Sequence, residues 1–230
     1  MCSVVQIGRS GTGACEGVGA RDCGMALSKP DAVLQLGDRS SSKRRAAAKA
    51  LRLLRDPSAS SALMAALESE VRDARTWETQ YQMVMALGES GYVPARDWLV
   101  EFASSLGDPF MLAVGIGDAV VRLSILAGTT EDALRWAMGS GRWSILDGAL
   151  RALAMTRTVP TAETVDRILA HLATLNAEDG LRFWAAVGAV DWPGDAARHV
   201  LAEWAALSRQ DVTEAAQISL SGGYRKRHPL

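Results

Sequence analysis

The feature that most constrains this chain is a repeated pairing of short helical segments. From about Asp31 to Gly222, apolar residues recur at i, i+3, i+4 and i+7. That spacing gathers them on one side of a helix with 3.6 residues per turn. The breaks between segments are brief and rich in Gly, Pro, Asp and Ser. Residues 42–54 pair with 60–71, 76–88 with 95–105, 109–126 with 131–138, 143–155 with 162–175, and 178–190 with 195–207. Residues 211–220 follow as a lone segment. Leu51, Leu87, Leu123 and Leu153 hold matching places on successive first helices, at steps of 36, 36 and 30 residues. A helix-pair period in the thirties marks an α-solenoid, because one hairpin cannot bury its own apolar face and must stack on its neighbours. The expected fold class is therefore all-α, without a sheet.

Residues 1–24 break this pattern. Gly8, Gly11, Gly13, Gly17, Gly19 and Gly24 crowd them and no apolar period runs through. Such a stretch buries too little surface to offset its ordering entropy, so it is expected to be disordered. Met25 offers a second start for the product. The expected division is a glycine- and cysteine-containing segment 1–24, a helical repeat domain 25–222 and a short basic tail 223–230. Cys2, Cys15 and Cys23 all lie in the first segment, so no disulfide framework holds the body. That usage and the lack of a secretory signal point to the cytoplasm. No uncharged run of about 20 apolar residues stands out as a membrane span, and none is expected.

The 16 residues from Arg44 to Ala59 carry a resemblance. An alanine-rich helix, Ala46-Ala47-Ala48 to Leu54, is followed by Asp56-Pro57 and a second apolar helix. Met85-Ala86-Leu87-Gly88 echoes the helix end. This resembles the HEAT-repeat superfamily, closely over 42–105 and more loosely over 106–220, where Gly115 and Gly117 interrupt a helix and the Asp-Pro turn is missing. The resemblance implies a right-handed α-solenoid of about five stacked antiparallel helical hairpins plus a terminal helix. It also implies that second helices line the concave surface.

Gly8-Arg9-Ser10-Gly11-Thr12-Gly13 imitates a phosphate loop, but Ala14 and Cys15 stand where Lys and Ser or Thr are required. His171, His199 and His228 lack a second ligand at helical spacing, so no metal site, catalytic residue or cofactor is assigned. Asp118 with Arg122, Asp147 with Arg151, and Asp179 with Arg182 share helix faces at i,i+4 or i,i+3. Set among apolar residues, they read as a structural ladder between repeats, since buried charges need partners. Arg96, Arg135, Arg167 and Arg198 recur once per second helix near the repeat period, with His171 one turn from Arg167. They read as a partner-binding row suited to carboxylate or phosphate. Trp136 and Trp192 are the tryptophans placed for an interface, whereas Trp77, Trp98 and Trp204 fall on core stripes. The basic helix carrying Lys43, Arg44, Arg45, Lys49, Arg52 and Arg55 reads as the polar face of a capping repeat.

The net charge of −1 and pI of about 6.3 weigh against a dedicated nucleic-acid binder, which needs a basic surface. The reading that follows is a non-catalytic protein–protein interaction or adaptor module, holding a protein or acidic peptide on its concave face. The resemblance leaves two alternatives open. One is a nucleic-acid-binding protein or DNA-base glycosylase, and the other a maturation factor or chaperone subunit for another enzyme. Oligomeric state is not legible.

Overall fold

The computed structural model describes residues 27–107, 110–176 and 179–224. The expectation for residues 1–24 and most of the tail 223–230 lie outside them. Among the described residues there are twelve α-helices and no strand. The first, α1 (Lys29–Gln35), precedes the predicted hairpins and packs on α2. The hairpins are α2 (Ser41–Leu54) with α3 (Ser60–Glu70), α4 (Trp77–Ser90) with α5 (Arg96–Ser105), and α6 (Phe110–Ala127) with α7 (Thr130–Gly139). Next come α8 (Trp143–Thr156) with α9 (Ala162–Ala173), α10 (Arg182–Gly188) with α11 (Asp195–Trp204), and then α12 (Gln210–Leu220).

Local chemistry sets these boundaries. Second helices α3 and α5 are entered through 3₁₀ turns with a proline in their first two positions, Pro57–Ala59 and Val93–Ala95. Asp56 accepts from the Ser58 N–H at 2.9 Å and so fixes the first of them, a local side-chain bond that favours a turn over continued helix. Four consecutive first helices, α2, α4, α6 and α8, are followed by a left-handed residue: Arg55, Gly91, Gly128 and Arg157. This turn recurs near the repeat period because it reverses the chain and satisfies the last carbonyls of the helix. Glycine adopts it freely; an L-residue is strained by roughly 1–2 kcal/mol. Arg55→Gly is thus expected to raise stability by up to about 1 kcal/mol, measured by urea denaturation. A clear loss of stability would show that the Arg55–Glu89 contact at 3.5 Å matters more than the strain.

The first helices form one continuous layer. Each of α2, α4, α6, α8, α10 and α12 packs against the next in that series, and the second helices touch one another far less. The terminal helix α12 packs on both α10 and α11. α6 is the centre. It is long and apolar enough by length and composition to cross a membrane, a property the sequence reading passed over, but 67% of it is buried inside the protein. Its glycines explain the departures at Gly115 and Gly117. A Cβ on Gly117 would lie 2.1 Å from the Ile145 carbonyl oxygen of α8, and one on Gly148 of α8 would lie 1.9 Å from that of Val114. The two backbones therefore meet through paired glycines. Gly115 likewise admits the Tyr81 ring.

Candidate functional site

Ion pairs tie the first-helix layer together; the predicted Asp118–Arg122 pair forms, while Arg151 and Arg182 make bonds that the spacing did not foresee. Asp118 is fully buried and accepts from two arginines: Arg122 Nε on its own helix at 2.5 Å and Arg151 Nε on α8 at 2.9 Å. Arg151 therefore reaches across to Asp118, where the i,i+4 spacing had assigned it to Asp147. A cross-helix carboxylate whose side chain is 0% exposed is the stronger partner, because a buried charge demands compensation. Burial works against the charge on Arg151, but Asp118 and the Tyr81 phenol outweigh it and raise its pKa above the ordinary guanidinium value. Arg182, assigned to Asp179, is buried and donates instead to the Leu172, Leu175 and Asn176 carbonyls. It caps the end of α9, whose last carbonyls have no partner within the helix. Asp179 accepts from the Leu181 N–H at 2.9 Å and so begins α10.

The basic helix α2 is similarly engaged. Arg44 makes a two-pronged pair with the buried Glu70, Arg45 meets Glu78, and Arg52 meets Glu89 at 2.8 Å. Its cations mostly face glutamates of the next helices.

The arginine row divides. Arg96 is half-buried and spends its guanidinium on Ser124 at 2.7 Å and Asp97 at 2.6 Å. Arg135 pairs with Asp132 at 3.1 Å and Arg167 with Glu163 at 2.5 Å, all four largely exposed. Such exposed helical pairs contribute only a few tenths of a kcal/mol and leave little charge for a partner. His171 is half-buried near the end of α9. Arg198 alone of the row is exposed with no such bond among the described residues. Trp136 is half-buried against the core. Trp192 is 6% exposed and part of the core, so it is not the surface anchor predicted from its place in a turn. Trp192 follows the 3₁₀ turn Ala189–Asp191, which packs against α11 and α12.

A different surface stands out. A cavity of about 630 Å³ opens where α3 ends, α4 begins, α5 ends and α6 begins. Its wall includes Val71, Trp77, Phe102, Leu106, Phe110 and Met111. Polar groups nearby are already spent. Gln80 is buried and donates to the Glu70 and Asp73 carbonyls at 3.2 and 2.9 Å. Arg142 donates to the Ala103 and Leu106 carbonyls at 3.3 and 2.7 Å and so holds the end of α5 in place. The groove therefore presents apolar surface on a fixed frame. At its lip the Phe110 ring, 40% exposed, lies 4.6 Å from that of Trp143, 60% exposed. The sequence does not single these residues out, because Phe110 and Trp143 simply continue apolar helices. The available signal was their position in the first turn after a break, where a helix has no preceding helical turn beside it.

Among the described residues no group of three or more His, Cys, Asp or Glu could hold a metal ion. No curated protein matches the chain. The family model of the PBS lyase HEAT-like repeat matches residues 43–69, which span α2, the Pro57 turn and most of α3. The chain thus carries a HEAT-like repeat of the PBS lyase type.

Proposed function

We propose that this protein is a non-catalytic protein-binding module, and that it seats a partner's apolar side chains in the groove between α3, α4, α5 and α6. One observation carries the reading: an apolar cavity of about 630 Å³ with an exposed Phe110–Trp143 pair at its edge. Contiguous exposed apolar surface of this kind marks interaction sites, and aromatic anchors in such pockets dominate binding energy. The distribution of charge favours the groove over the arginine row, because Arg96, Arg135 and Arg167 already hold carboxylates. The same pairing lends no support to nucleic acid as the partner, since phosphate contacts need uncommitted cations.

The test begins with peptides selected by display against the full chain. They are expected to carry an aromatic or aliphatic anchor. Phe110→Ser with Met111→Ser should weaken their binding about tenfold or more, with circular dichroism unchanged. Arg135→Glu with Arg167→Glu should leave it within about twofold, because surface charges contribute little to such a contact. The opposite pattern would place the binding face on the arginine row.

A further inference from the structure

The chain is turned back on itself where α12 ends. Gly222 takes a left-handed φ of 78°. Its N–H donates to the Ser219 carbonyl at 3.0 Å and that of Gly223 to the Ile218 carbonyl at 2.9 Å, a helix stop that glycine adopts freely. Tyr224 follows. Its hydroxyl donates to the Asp191 carboxylate, at the end of the 3₁₀ turn after α10. The Arg157 guanidinium lies over its ring, 4.3 Å from the centroid. Arg157 is the left-handed residue that ends α8, with a φ of 53°. One aromatic side chain thus joins the end of α12 to the turns behind two earlier first helices.

The helix these contacts hold is built as a cap. Val212, Ala215 and Ala216 are fully buried, and α12 packs on α10 and α11. Gln210 and Gln217 are exposed, and a polar outer face is what ends a solenoid. Burial first, then the bond to Asp191, pushes the Tyr224 phenol up to about 12, so it remains a donor at neutral pH. Arg157 takes a backbone conformation that strains an L-residue, where the corresponding turns after α4 and α6 have Gly91 and Gly128. The contact with the Tyr224 ring gives an arginine a use at that strained place. We infer that Tyr224 is the latch of a C-terminal cap: its bond to Asp191 and its stacking under Arg157 hold α12 closed over α10, and their release opens α12 while α6 and α8 stay folded. An opened α12 uncovers the apolar face of α10, the face on which a further repeat would stack. This device is separate from the aromatic groove and does not rest on it.

Amide hydrogen exchange of the full chain, read helix by helix, tests the latch. Tyr224→Ala removes both contacts and is expected to speed exchange in α12 about tenfold or more, since a hydrogen bond to a charged group and a cation–π contact are lost together. Exchange in α6 and α8 should stay as in the parent. Tyr224→Phe keeps the ring under Arg157 and loses only the bond to Asp191, so its α12 should exchange at a rate between the two. Arg157→Gly relaxes the backbone turn but removes the cation, so it should speed α12 without lowering the urea midpoint of the whole chain. A purely structural role for Arg157 would leave α12 unchanged or slower in that variant. The inference fails if α12 of Tyr224→Ala exchanges within about twofold of the parent, or if its α6 and α8 quicken as much as α12 does, which would be global unfolding.

Discussion

Replacing Asp118 by alanine is expected to lower the unfolding free energy by about 3–5 kcal/mol, the cost of leaving buried charge without its partner. The carboxylate is fully buried and accepts from Arg122 and Arg151, whose side chains are only 17% and 16% exposed. Removing it strands two guanidinium groups that have little access to water. Urea denaturation measures the loss. A double-mutant cycle with Arg151→Met separates the cross-helix bond from the local one. The coupling should be large, since Arg151 is held in place against Met85 and Tyr81 to meet Asp118. A loss below about 1 kcal/mol would mean that water reaches the arginines and the link is a surface pair.

A comparable effect should follow from adding one carbon atom. Gly148→Ala places a Cβ 1.9 Å from the Val114 carbonyl oxygen and 2.8 Å from the Asp118 N–H nitrogen, and Gly117→Ala places one 2.1 Å from the Ile145 carbonyl oxygen. These are backbone atoms, so α6 and α8 must move apart. The expected cost is about 3 kcal/mol or more for either change, the upper end for overpacking. Gly139→Ala is the control. Its Cβ meets nothing within 4 Å, so that change should leave stability unaltered or raise it by up to about 1 kcal/mol, because alanine is the better helix former. Thermal melts of the three variants decide the matter. Equal behaviour of Gly139→Ala and Gly148→Ala would mean that the helices do not meet as closely as described.

Much of the architecture was legible because it is written as period. Leu51, Leu87, Leu123 and Leu153 are all buried on successive first helices, and the hairpin boundaries follow from Gly, Pro and Asp at the breaks. The helix α1 was missed because seven residues barely complete two turns and offer too little periodicity to register. Long-range partners were harder. Asp118 and Arg151 are 33 residues apart, as are Arg45 and Glu78. Such links connect equivalent places in adjacent repeats, whereas the eye is drawn to i,i+4 neighbours on one helix. The aromatic groove was illegible for a related reason. Phe110 and Trp143 differ from core residues only in what stands opposite them, and periodicity records the face of a helix without recording whether that face is covered. Trp192 erred the other way: a turn usually faces water, but this one is roofed by α11 and α12.

The serial packing of the first helices has a consequence for how the molecule opens. Each helix is supported mainly by those adjacent to it in sequence, so stability accumulates along a line and local opening can begin at either end. Amide hydrogen exchange should therefore be graded, fastest in α1 and α12 and slowest in α6 and α8, where the glycines interlock. The aromatic groove borrows α6 for one wall and would meet its partner already formed, with little entropy left to lose. The last helices, α11 and α12, lie at the end of the array, where opening costs least. Any contact that covers them would protect their amides by mass action, so the order of this end depends on what packs against it.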